Sequence, residues 1–402
     1  MRRISFKEVA IFMATVMAGV STSCSSSDEV ASATSDSNVQ KQLTLTIKTQ
    51  TLTRAAVAAD PGTSAENTMN RITIGIFDQA GTTVRAIQEF SPTSTQSEAT
   101  AGSNKFYNGT NGTATVSVVT TQLASTDQIL VAINAPASTF AGIATATAFK
   151  SKSLTAAQAL YTKSDASSPS DDIAVSNNIP MFGSATISGS GTSYTATVNP
   201  IHLVSKITLE SLKVAFASDG PYSAATFTPE EIFVYNAPDG LMFNDATPYV
   251  STSTLLTGES SSTSPTKYLS TGVLSNQTPL SGSGSFAGSL YFYTTPNDKV
   301  DDSKTKLVIK GSFDPDGSGS APAQSVYYPV KLNSNVTAAG NHAAAEGSTT
   351  EYQVYPNKNY KCSVTIKTIG STGPDKDIDP TTATITINVT PFSDVSQSTI
   401  FQ

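Results

Sequence analysis

The chain is 402 residues long, with 38% hydrophobic but only 14% charged residues, 113 Ser and Thr, two His, two Cys and no Trp. Its formal charge of −7 and pI of about 4.9 repel polyphosphate, which excludes a nucleic-acid partner. So few His and Cys leave almost no inventory for a zinc site, a Cys/His nucleophile or a disulfide scaffold, and the length suits two domains.

Arg2, Arg3 and Lys7 precede an apolar stretch from Val9 to Val20, which ends in Ser21, Thr22 and Ser23 before Cys24. This order reads as a secretory signal over residues 1–23. A dozen apolar residues rising about 1.5 Å each fall short of a hydrocarbon core of about 30 Å, so export is expected rather than a membrane span. Small residues directly before Cys24 resemble a bacterial lipobox, although Ser21 stands where an aliphatic residue is usual. The resemblance implies that Cys24 is acylated and anchors the chain; ordinary cleavage near the same place is the alternative. Removing Arg2, Arg3, Lys7 and Glu8 takes the formal charge from −7 to −9. With Cys24 acylated, Cys362 has no partner for a disulfide inside the chain and reads as a small buried hydrophobe.

Residues 24–41 are mostly Ser, Asp, Ala and Thr, a composition that suits a flexible tether. From Gln42 to Arg54, Leu43, Leu45 and Ile47 alternate with Thr44, Thr46 and Lys48, the period-two pattern of a strand. Ala55 to Asn67 is small and turn-forming and reads as an exposed connection, after which Arg71 to Phe77 resumes the alternation. Strands are expected over Thr113–Thr121, Gln128–Asn134, Ser184–Ser188, Ser193–Val198 and His202–Phe216, with a short helix over Thr155–Tyr161. A second set covers Glu231–Asn236, Ser289–Thr294, Lys306–Ser312, Ser325–Leu332, Asn359–Thr368 and Thr382–Thr390, joined by Ser/Gly/Thr loops. Asn199-Pro200 is the natural seam, since Pro cannot donate to a ladder. The expected organisation is therefore a first domain over 42–200 and a second over 201–402.

Few constellations carry chemistry. Asp314-Pro315-Asp316-Gly317 lacks the third acidic position and the distant Glu of a calcium loop, and reads as a hairpin turn. Asp375, Asp377 and Asp379 read as a solvated loop, and His202 and His342 as structural residues without metal-ligand spacing. Neither a nucleophile elbow nor a phosphate-binding loop is present, so no enzyme activity, cofactor or metal is expected.

Several short segments in order carry a family likeness: Leu43 to Ile47 leading to Thr53-Arg54-Ala55, Ile74 to Asp78, Val131 to Pro136, and Ile179 to Gly183. Tyr293 to Asn297, Tyr327 to Val330, and Asn357 to Tyr360 running into Val364 to Lys367 and Gly370 continue it. Together with the lipoprotein start, these resemble the fimbrillin family of pilus subunits. The resemblance implies an all-β chain of two tandem transthyretin-like Greek-key β-sandwiches, exported as a precursor anchored in the outer membrane. It also implies assembly into type V pili at the cell surface after an Arg-specific protease removes the first strand, with Arg54 and Ala55 matching the cleavage site. One departure is Phe392 after Pro391, with no Trp anywhere in the chain, where such proteins often carry one.

A physical argument for Arg54 stands beside the likeness. The chain has five Arg, and Arg2 and Arg3 leave with the signal; Arg71 opens a strand and Arg85 lies in an apolar run, whereas Arg54 precedes a small-residue linker. Cutting there frees Leu43, Leu45 and Ile47 and leaves an apolar groove with an unpaired edge, a template for another strand. The end of the chain, about 382–402, supplies one: Ile385, Ile387 and Val389 alternate with Thr386 and Asn388, and Phe392, Val395, Ile400 and Phe401 add anchors. Such head-to-tail contact does not close, so it builds a filament of copies of the chain and related subunits. The competing expectations are a tip or anchor subunit of the same pilus, or a surface glycan-binding lipoprotein using Tyr107 and Tyr249.

Overall fold

Period-two alternation makes strands the dominant element among the described residues. The computed structural model describes residues 39–49, 63–90, 105–108, 113–160, 178–250, 254–288, 290–336, 342–343, 350–378 and 383–391, and residues 38–402 cluster as one compact unit. The first half contains β1 (Lys41–Lys48), α1 (Thr63–Glu66), β2 (Ile72–Phe77), β3 (Val84–Phe90), β4 (Lys105–Asn108), β5 (Thr113–Thr120) and β6 (Gln128–Ile133). It continues with α2 (Ala146–Lys150), β7 (Ser153–Leu154), α3 (Ala156–Leu160), β8 (Met181–Thr186), β9 (Ser188–Ser190), β10 (Ser193–Val198) and β11 (Ile201–His202). The second half begins with β12 (Ser205–Val214), β13 (Thr226–Pro238), β14 (Leu241–Met242), β15 (Leu255–Thr257), β16 (Leu280–Ser281) and β17 (Leu290–Thr294). It ends with β18 (Lys306–Asp314), β19 (Gln324–Lys331), β20 (Asn335–Val336), β21 (His342–Ala343), β22 (Lys358–Ile366) and β23 (Ala383–Pro391).

Two sheets, β4-β5-β1-β10-β9 and β11-β8-β6-β2-β3, form the first sandwich; β17-β12-β22-β23 and β15-β13-β18-β19 form the second. Within them, β5-β1-β10 corresponds to β17-β12-β22, and β3-β2-β6-β8 to β15-β13-β18-β19. Both halves thus repeat one strand order, the tandem transthyretin-like all-β architecture expected from the sequence. In each half the first strand lies between an antiparallel and a parallel neighbour: β1 between β5 and β10, β12 between β17 and β22.

The inner faces of the first sandwich meet in a core of Leu43, Leu45, Ile47, Ile72, Ile74, Ile76, Val116, Ile129, Val131 and Val198. Every residue of β2 is buried, because its other face is covered too. Phe77, Leu130 and Phe182 on that outer face join Phe140, Phe149, Leu154 and Phe243 in a cluster that runs into the second sandwich. Phe140 stacks on Phe149 at 4.0 Å and meets Phe243 edge-on at 5.2 Å. The strands of 41–202 and those from 205 onward belong to separate sheets, and the ladder joining them among the described residues is the short pair β7 with β14.

Close packing at the seam fixes Gly183. A Cβ there would lie 2.6 Å from Val198 Cγ1 and 2.9 Å from the Pro200 Cα, which is backbone and cannot turn aside. Gly183→Ala is therefore expected to destabilise the chain by about 1–3 kcal/mol, read as a lower urea midpoint with unchanged slope.

Three sequence expectations change. His202–Phe216 is not one strand: β11 ends at His202 and β12 starts at Ser205, with Leu203 and Val204 buried between them. Ala55–Asn67 is not exposed at its described end, where α1 forms and Glu66 is 2% exposed. Strand β8 begins at Met181, three residues before the alternation suggested, since Met181 and Phe182 are apolar neighbours that face opposite cores.

Candidate functional site

Strand β1 is built from Leu-Thr-Leu-Thr-Ile, and Leu43, Leu45 and Ile47 are each 0% exposed between the sheets of the first sandwich. It pairs with β5 from Lys41↔Thr120 to Lys48↔Thr113 and with β10 from Gln42↔Ser193 to Ile47↔Val198. Its start is pinned by Gln42 Nε2 donating to Ser117 Oγ at 2.9 Å and Lys41 Nζ donating to the Leu123 carbonyl at 3.1 Å. The sequence pointed to a groove with one unpaired edge; the strand is instead internal. Its loss would open a slot bounded on both sides by the freed edges of β5 and β10, which stay paired with β4 and β9, with three empty aliphatic subsites on its floor.

Strand β23 occupies a different position. It pairs antiparallel with β22 from Ala383↔Ile366 to Pro391↔Lys358, and is the last strand of its sheet. Ile385, Ile387 and Val389 pair with Val364, Cys362 and Tyr360 of β22, and those three β22 residues are buried. Among the described residues a single ladder holds β23 where two hold β1. Pro391, at the outer end of an edge strand, lies where a missing N–H is tolerated.

Cys24, Arg54, Ala55, Phe392, Val395, Ile400 and Phe401 lie outside the described residues. The other two Arg beyond residue 23 are built into the first sandwich: Arg71 forms an ion pair with Glu89 of β3, and Arg85, itself in β3, has its Nε 3.7 Å from Asp127. Cys362 is a free, fully buried thiol, and burial pushes its pKa up. The Asp314–Gly317 segment is a turn in which Asp314 accepts the backbone N–H of Asp316, Gly317 and Gly319, and Asp316 those of Ser318 and Ala321. Asp377 is drawn to Lys306 at 3.3 Å and Lys331 at 2.8 Å, so that loop is tied to the second sandwich.

The seam holds polar residues the sequence did not reveal. Glu66 accepts from Lys206 Nζ at 2.9 Å and from Tyr293 Oη at 2.7 Å, with both members of the ion pair 2% exposed. A Glu in a small-residue linker carries no sequence signal for burial, because its partners lie 140 and 227 residues away. Beside it, His202 Nε2 is 3.0 Å from the Glu66 carbonyl and Nδ1 is 3.1 Å from the Asn357 side chain. Burial lowers the His202 pKa below 6.5, which favours the neutral ring, and the two ring nitrogens face two oxygens, the Glu66 carbonyl and Asn357 Oδ1, of which a neutral ring donates to one. Below about pH 6.5 the unfolded chain gains a proton that the folded chain refuses, so this contribution to stability is lost as pH falls toward the folded pKa. Thermal unfolding at pH 7.5 and pH 5 is expected to show a smaller drop for His202→Gln than for the unmodified chain.

The family model described as major fimbrial subunit protein (FimA) matches residues 42–210. A fimbrilin from Porphyromonas gingivalis W83 superposes with a TM-score of 0.57 at 15% identity, over 88% of this chain and 99% of that one. A candidate cell adhesion protein from Parabacteroides distasonis ATCC 8503 gives 0.60 at 14% identity, over 89% and 98%. Another from Bacteroides eggerthii DSM 20697 gives 0.54 at 18% identity, over 88% and 96%. No curated protein matches the chain in sequence. The likeness to solved structures is one of fold, and the match to the major fimbrial subunit model spans residues 42–210, which include β1 and the slot it fills.

Proposed function

Taking the chain as a fimbrillin-family pilus subunit of the cell surface, we propose that it polymerises head to tail by exchanging β1 for β23 of a neighbouring copy. The precursor is exported as a lipoprotein through Cys24 and held at the outer membrane. An Arg-specific protease then cuts between Arg54 and Ala55 and releases β1. The acceptor domain is 42–200 and the donor domain 201–402, with no catalytic role for either. The observation that carries this reading is the contrast between an internal first strand and, among the described residues, a singly paired last strand with the same spacing of aliphatic residues.

That spacing also selects a register. With Ile385, Ile387 and Val389 in the subsites of Leu43, Leu45 and Ile47, volumes are conserved to within one methyl group, which a core tolerates. Pro391 then takes the place of Thr49, beyond the last paired residue of β1, where no ladder N–H is required. A shift of two residues one way puts Pro391 at the Ile47 position, between two strands, where its missing N–H breaks a ladder. The opposite shift puts Ala383 in the Leu43 subsite and leaves a cavity. A shift of one turns every aliphatic side chain to the wrong face.

Thr46 pairs with Thr115 of β5, and Asn388 replaces Thr46 in this register. Cysteines at Thr115 and Asn388 are thus expected to give a reducible ladder between processed subunits, and none in the precursor, where Asn388 pairs with Lys361. Cross-linking through Thr386→Cys or Thr390→Cys instead would refute the register, and no ladder with any of the three would refute the exchange.

A further inference from the structure

The segment after β14 and the segment before β22 face each other across a cleft of 520 Å³ whose walls include Asp245, Tyr249, Gln353, Tyr355, Asn357 and Lys358. We propose that this cleft binds a neutral oligosaccharide of one or two hexose units, with Tyr249 and Tyr355 against the sugar rings and the other four residues on its hydroxyls.

The walls are fixed before any ligand arrives. Tyr249 Oη accepts from Gln353 Nε2 at 3.0 Å, and Tyr249 forms a backbone bridge to Leu241. The Tyr355 N–H donates to Tyr360 Oη at 2.8 Å, its carbonyl accepts from Ser205 Oγ at 2.6 Å, and the Asn357 N–H donates to the Val204 carbonyl at 2.9 Å. Tyr360 itself is fully buried, so the 353–358 segment is tied to the core of the second sandwich. Ordering cost is then small on binding, which matters for a ligand that makes few contacts.

The chemistry of the lining selects the ligand class. One carboxylate and one ammonium cancel, so an anionic or cationic ligand gains no net attraction. Two phenol rings offer apolar faces to the C–H side of a pyranose, while carboxamides, carboxylate and ammonium offer both donors and acceptors to its hydroxyls. Ile201 is the one large aliphatic residue in the lining, too little to seat an acyl chain or an apolar peptide anchor. Burial pushes the Tyr249 pKa up to about 12, so its hydroxyl stays protonated. The volume falls within the range of small-ligand sites. None of these residues belongs to β1, β5, β10 or β23; Lys358 alone pairs with β23, at Pro391, so the unprocessed protein, in which that pairing is intact, tests the cleft apart from strand exchange.

The test is saturation-transfer NMR on the unprocessed protein with lactose, N-acetyllactosamine, maltose and cellobiose at about 10 mM, the range of weak single-site binding. At least one disaccharide is expected to bind, with affinity about tenfold lower in Tyr249→Ala, lower in Asp245→Asn, and little changed in Tyr249→Phe, which keeps the ring. Melting curves check that each variant is folded, and Tyr355→Ala replaces Tyr249→Ala if that variant is not. Absence of binding by all four, binding unaltered by Tyr249→Ala or Tyr355→Ala, or a stronger response to sialyllactose than to lactose would each overturn the proposal.

Discussion

Ile387→Asp is expected to abolish the high-mass ladder of the processed protein while leaving the slot of the same molecule able to accept a strand. In the proposed register Ile387 enters the subsite of Leu45, which is 0% exposed and walled by aliphatic side chains. A carboxylate placed there has no cation to meet, and burying it unpaired costs more than a ladder hydrogen bond returns. In the precursor the same residue lies on a singly paired edge strand, so the first sandwich and its slot keep their fold. A variant that accepts but does not donate is a chain terminator. Added to unmodified subunits, it is expected to shorten filaments in proportion to its share, which gel ladders and electron microscopy both measure; normal ladders of Ile387→Asp alone would remove β23 from the mechanism.

Leu45→Ala separates precursor from polymer. Removing a buried Leu side chain from a two-sided strand is expected to cost the precursor about 2–5 kcal/mol, seen as a lower denaturant midpoint. The processed filament is expected to match the unmodified one in resistance to dissociation, because the altered strand has been discarded. Val116→Ala, in the same core but on the retained β5, is expected to weaken both forms. A filament destabilised by Leu45→Ala would mean that β1 stays in the assembled subunit.

Much of this was legible in the sequence because a sandwich writes itself as alternation. Leu43, Leu45 and Ile47 announce one buried face, and the turns around Asp78 and Asp314 mark hairpins through Gly and Asp. The segment 226–238 ran further than its clear alternation, since Pro229 sits at a register shift that keeps the strand paired on either side. What the sequence hid is long-range. Whether a strand is internal or at an edge depends on its neighbours, and the parallel pairing of β1 with β10 joins residues about 150 apart. The buried Glu66 is equally silent, because its ammonium and phenol partners come from the second half of the chain. The Phe140, Phe149 and Phe243 contacts likewise join a turn, the short helix α2 and the residue after β14, which no period reveals.

Mass spectrometry of the N-terminus of protein recovered from the cell surface, run beside an unboiled gel, decides whether the mature subunit has lost β1 and filled its slot with a strand from another copy. Strand exchange requires a chain that starts at Ala55 and migrates as a ladder. A chain that starts at an acylated Cys24 and migrates as a monomer would refute it.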